Sequence, residues 1–208
     1  MNYLEALSRR YSVKKFNNQR IPQETLHNIL ESGKLSASSL GLQPYKIVVV
    51  ESEEMKQKLI PAFYNPSQIS TCSHLIVIIS KKMIEEHYIH GYFNHISEVR
   101  QTPVESLAPF KNSINQHINQ KTQDEILSWA EKQSYIVLAN LMYAAAIENI
   151  DSCPMEGFRQ DLIEEILNIN RETEKVTVTL ALGYRSEEDY FQHMKKVRKP
   201  NEKLFKFI

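Results

Sequence analysis

At 208 residues, with 42% hydrophobic and 24% charged side chains, the chain can bury a sizeable core and has the composition of a soluble globular protein. Its 25 basic and 25 acidic residues cancel, so no net field draws nucleic acid or an anionic membrane, and any anion site must be local. The two cysteines, Cys72 and Cys153, form neither a disulfide framework nor a metal-ligand pattern, and a signal peptide and a bilayer-length apolar run are absent; one domain over 1–208 in a reducing cytoplasm is expected.

Asn2 followed by Glu5 has the spacing of a capping box, and Leu4 and Leu7 give the short helix after it one apolar stripe. Residues 9–16, RRYSVKKF, then place four cations, a hydroxyl and two aromatics in eight positions. Guanidinium groups match phosphate oxygens bidentately and Lys acts as a point charge, so the turn is a candidate anion site; a solvated charged face is the alternative. Pro22 at a first helical position, the stripe Leu26, Ile29 and Leu30, and a stop at Gly33 mark a second helix. The small, polar stretch 36–46, SASSLGLQPYK, reads as loop.

The β-branched runs 45–51 and 74–80 predict buried strands, separated by a helix that starts at Ser52 and carries Met55 and Leu59. Asn65-Pro66 is a turn signal, and Asn65 and Gln68 offer amides able to donate and accept. Residues 81–122 are polar and irregular, and one or two helices covering a site or a partner are expected there. His87, His90 and His95 lack the carboxylate or Cys that would complete a metal shell. From Asp124 a long helix is expected, apolar nearly all round at 136–147 and so central and buried, with Trp129 near its start as core filler or pocket lining.

Residues 153–158, CPMEGF, read as a loop entering a helix through Leu162, Ile163, Ile166 and Leu167, where free backbone N–H groups face an acceptor and Gly157 permits close approach. A strand over 176–182 follows. The cluster 195–200, KKVRKP, could converge with the first basic turn on one anion. With five glycines, neither a dinucleotide fingerprint nor a P-loop can be written, and no nucleophile–base arrangement has a spacing logic. An enzyme of this composition would rely on a bound cofactor.

In order along the chain, RRYSVKKF, SASSLGLQPYK, NPSQI before SHLIVII, PMEGF and KVR resemble the flavin-dependent nitroreductase family over essentially the whole length. The resemblance implies an α+β fold: a mostly antiparallel central sheet surrounded by helices, assembled as an intertwined homodimer with FMN at the interface. It places Arg10, Ser12, Lys196 and Arg198 at the FMN phosphate, and Lys14, Asn65 and Gln68 at the pyrimidine edge of the ring. Glu156 and Gly157 match the loop whose amides face the flavin N5 and O4 positions, and Tyr11 and Met155 join the same cofactor set. Ala37, Ser38, Ser39 and Gly41 match a loop that reaches the flavin from the other subunit.

The implied activity is ping-pong hydride transfer from NADH or NADPH, through FMN, to nitroaromatics, quinones or similar small-molecule acceptors, with no side chain as nucleophile. Flavin reduction, enal reduction, dehalogenation, flavin fragmentation and a flavin-binding module without turnover are the alternatives that the resemblance leaves open. Gln68 stands where relatives carry a second lysine, which lowers the expected flavin potential. Ala37 replaces a common proline, and the position aligned with an aromatic gate, near Asn115, is not aromatic. A nucleic-acid surface is disfavoured, because no aromatics interleave with a continuous basic stripe.

Overall fold

The structure, a computed structural model, describes residues 2–208. Its helices and strands follow in the order α1 (Tyr3–Arg9), α2 (Gln23–Lys34), β1 (Tyr45–Val50), α3 (Glu53–Leu59), α4 (Pro66–Thr71), β2 (His74–Lys81), α5 (Glu86–Arg100), α6 (Ala108–Asn119), α7 (Gln123–Ile147), β3 (Asp151–Met155), α8 (Gln160–Ile166), β4 (Glu174–Gly183) and α9 (Asn201–Leu204). The strands form one antiparallel sheet in the order β1-β2-β4-β3, which agrees with the expected α+β architecture. β2 and β4 lie in the middle and are buried on both faces, which is why HLIVIIS and VTVTLAL read as nearly continuous apolar runs.

Alternation along β2 divides the core. Leu75, Val77 and Ile79 face one layer with Phe16, Leu59, Ile69 and Ile163, whereas Ile76 and Ile78 face α2 and α7 through Ile29, Val137 and Leu141. Residues 81–122 build a satellite core in which Ile89, Phe93 and Ile96 of α5 meet Ile114 and Ile118 of α6 and Ile126 of α7. The capping boxes Asn2/Glu5 and Thr122/Glu125 start α1 and α7.

Several local expectations are corrected. Gly33 lies inside α2 and does not end it; an added Cβ there would come 2.8 Å from Leu141 Cδ2, so the glycine serves the α2–α7 packing. Asn65 and Pro66 open α4 as its N-cap and first residue, with the Asn65 side chain accepting from Ser67 N–H. Cys153, Pro154 and Met155 belong to strand β3 rather than to a loop; Pro154 is tolerated because β3 is an edge strand. Helix α7 is buried on one side only, because Ile136, Tyr143 and Ile147 remain 41%, 39% and 37% exposed.

Candidate functional site: a basic trough joined to a polar pocket

The basic turn is held by short strand-like contacts. Ser12 bridges to Ser152 at the start of β3, and Phe16 bridges to Arg185 beyond β4. Val13 and Phe16 sink into the core at 0% and 1% exposure, so the alternating Ser12 and Lys14 are turned the other way. The C-terminal segment is fastened to this turn by Asp189. Its buried carboxylate accepts the backbone N–H of Lys14 (2.6 Å), Lys15 (3.2 Å) and Phe191 (3.0 Å). Beneath it, Asp151 grips Arg185, whose guanidinium stacks 4.7 Å from the centre of the Tyr11 ring. Lys196 donates to the carbonyls of Leu7 and Arg10, at the C-terminal end of α1 where a cation is favoured.

These attachments bring both basic clusters together around a cavity of about 360 Å³, lined by Arg9, Arg10, Ser12 and Lys14 from one segment and Lys195, Lys196 and Arg198 from the other. No acidic side chain is among the lining residues. The Arg10 guanidinium is held below its usual value first by burial and then by Arg198, and Lys196 is lowered by burial, Arg10 and Arg198. Among the described residues, the buried Nε atoms of Arg9 and Arg10 have no hydrogen-bond partner. Crowded cations with spare donors call for an anion.

Lys14 also lines a second cavity of about 230 Å³, with Tyr64, Asn65, Gln68, Cys153, Met155, Glu156 and Gly157. Its side chain is therefore common to the walls of both cavities. The mouth of the second is stitched by Phe63 pairing with Phe158, by Tyr64 N–H donating to Gly157 O (3.1 Å) and by Arg159 N–H donating to Ala62 O (2.7 Å). The N–H groups of Glu156 and Gly157 have no partner among the described residues, which leaves two adjacent donors at the pocket rim. Tyr135 of α7 donates to Glu156 Oε1 at 2.5 Å; burial and this carboxylate push its phenol up to about 12, so it stays a donor.

Arg10, Tyr11, Ser12, Lys14, Lys196 and Arg198 thus gather at the basic end, and Lys14, Asn65, Gln68, Met155, Glu156 and Gly157 at the polar end. Ala37, Ser38, Ser39 and Gly41 are not brought there within this chain. Ser39 N–H is bound to Gln133, Ser38 Oγ accepts from Gln43 N–H, and Gly41, at φ +71°, lies against Tyr92 beside a separate groove of about 800 Å³ along β1. Tyr64, which adjoins NPSQI, and Cys153, the first residue of CPMEGF, line the pocket without a sequence signal of that role, and Asp189 has none either.

A profile of the Nitroreductase family matches residues 7–184. The chain belongs to the nitroreductase family. A Staphylococcus haemolyticus relative, provisionally named an NAD(P)H nitroreductase, is 36% identical over 99% of this chain and 96% of its own length. Nitroreductase folds also recur among solved structures. A Staphylococcus epidermidis protein described as an NAD(P)H:FMN oxidoreductase superposes with a TM-score of 0.87 at 23% identity, covering 100% of this chain and 96% of its own. An Exiguobacterium sibiricum nitroreductase solved in complex with FMN gives 0.86 at 22%, covering 100% and 98%. At these identities the solved structures establish the shared fold.

Proposed function

We propose that the joined cavities bind FMN and that the protein is an FMN-dependent NAD(P)H oxidoreductase, reducing nitroaromatic, quinone or related acceptors in a ping-pong cycle. The observation that carries this reading is the junction at Lys14. A basic cavity with unpartnered guanidinium donors suits a phosphate monoester, and it shares the Lys14 side chain with a pocket that has a polar edge, an apolar wall at Pro154 and Met155, and two free amides for a heterocycle. Arg10, Ser12 and Arg198 would hold the phosphate, with Lys196 fixing the C-terminal segment beside them. Lys14, Asn65 and Gln68 would face the pyrimidine edge.

Bound FMN supplies a redox centre that accepts and returns two electrons as hydride. The protein's part is to orient and to stabilise. The Lys14 ammonium would meet the negative charge that reduction adds at the pyrimidine edge, and the Glu156 and Gly157 amides, held by the Tyr135 and Tyr64 contacts, would hold the N5 and O4 side of the ring.

The chain acts, on this reading, as one domain over 1–208 that pairs as a homodimer in the cytoplasm. The exposed Ile136, Tyr143 and Ile147 of α7 and Leu4 and Leu7 of α1, a helix that contacts α7, support the pairing, as do the exposed Leu204, Phe205, Phe207 and Ile208. The partner would then supply its own loop from Ala37 to Gly41. No helix among the described residues is long and apolar enough to cross a membrane. Mixing the FMN-loaded protein with NADH or NADPH and a quinone or nitroarene should give acceptor-dependent oxidation of the nicotinamide, with parallel double-reciprocal plots. FMN-loaded protein that oxidises neither nucleotide would instead indicate a flavin-binding module without turnover.

A further inference from the structure

Gln68 is 4% exposed and lines the polar cavity. Its amide nitrogen is fully used: Nε2 donates to the carbonyl of Val13 at 3.2 Å and to Cys153 Sγ. The carbonyl decides which way the amide points, because a flipped Gln68 would set two acceptor oxygens against each other. Its Oε1 has no partner among the described residues, and it is the atom left to the cavity. Cys153 is itself 1% exposed; burial pushes its thiol up, so the sulfur stays protonated and serves as an acceptor. The same sulfur lies 3.9 Å from Lys14 Nζ, whose ammonium has no other protein partner among the described residues. An acceptor and a cationic donor therefore stand side by side at the junction of the two cavities.

We infer that Gln68 reads an imide N–H through Oε1, with Cys153 as the positioning residue that locks the amide, while Lys14 alone meets the adjacent carbonyl oxygen. The inference rests on the flavin reading of this pocket and sharpens it. A ring that presents a carbonyl next to an N–H, as the isoalloxazine does at O2 and N3, is matched; the same ring alkylated at that nitrogen is not. Gln68 is thus a device for selecting an unsubstituted imide edge, rather than a weakened copy of a lysine. A lysine at this position could only donate, and it would have nothing to offer the N–H.

The test compares FMN with 3-methyl-FMN by quenching of flavin fluorescence on titration into apoprotein. It is paired with the N3–H resonance of protein reconstituted with 15N-labelled FMN. Wild-type protein should bind the methylated flavin about tenfold or more weakly, as loss of one buried hydrogen bond requires. It should also show a slowly exchanging, downfield N3–H. In Gln68→Met the discrimination should shrink to within about threefold, and the N3–H signal should shift upfield or be lost to exchange. Cys153→Ala should shift it part of the way, and Cys153→Ser, which restores an acceptor, should return it.

Equal affinity of wild-type protein for the two flavins would overturn the inference while leaving FMN binding intact. Undiminished discrimination in Gln68→Met would overturn it too, by tracing the preference to steric exclusion. Failure to bind either flavin would remove the flavin reading and this inference together. Should Gln68→Met not fold, the wild-type pair of flavins and the N3–H resonance decide the matter.

Discussion

Arg198 is exposed and spends one guanidinium nitrogen on its neighbouring carbonyl, Val197 O, at 2.7 Å, yet it lines the basic cavity with Arg10 and Lys196. On the flavin reading, its role is to hold the phosphate in that cavity. Burial first, and then the mutual repulsion of these cations, lowers the proton affinity of Arg10 and Lys196, and an anion between them would relieve the repulsion. Arg198→Ala should therefore weaken FMN binding by on the order of 2 kcal/mol, the worth of a charge-assisted hydrogen bond, while affinity for riboflavin, which lacks the phosphate, stays near the wild-type value. Fluorescence titration with both ligands separates the cases. Equal losses for FMN and riboflavin would place Arg198 outside the phosphate site.

At the scale of elements, the chain's own pattern made β2, β4 and α7 legible because each is long, apolar and bounded by polar residues. β3 escaped for a physical reason: Asp151 to Met155 contains Ser, Cys and Pro, and its strand geometry comes from pairing with β4 rather than from propensity. The basic turn and the CPMEGF segment were recognisable as chemistry, but their meeting was not. That depends on Ser12 bridging to Ser152 and on Gln68 donating to both Val13 O and Cys153 Sγ, contacts with no local signature. The one-sided burial of α7 was hidden as well, since a segment apolar nearly all round does not say which face packs on the sheet.

The start of β2 carries a pH-dependent contact of the same long-range kind. His74 is buried, with Nδ1 2.8 Å from Ser73 Oγ, which in turn accepts the N–H of Ile21. Burial, and then Arg20, hold its imidazole below the ordinary value of 6.5. The unfolded chain therefore takes up the proton first on acidification. Stability from this site is complete above about pH 6.5 and is lost as the pH falls toward and through the lowered folded value. The melting temperature of the wild type should drop more steeply than that of His74→Gln between roughly pH 7 and pH 5. Parallel curves would show that His74 contributes nothing to the acid sensitivity.

At the scale of the whole molecule, the proposed homodimer would tie the site to the assembly. One chain supplies the basic trough and the polar pocket, whereas Ala37, Ser39 and Gly41, on one loop, are exposed and line neither of them, and the apolar face of α7 is uncovered. A second copy that covers α7 and delivers that loop would resolve both features. The most direct test of the central claim is size-exclusion chromatography of the protein as purified, with light scattering and visible absorbance recorded on the same peak. The expected result is one species near twice the chain mass of 24.3 kDa, carrying a flavin absorption band and releasing FMN on heating. A colourless peak that remains colourless after incubation with FMN would contradict it.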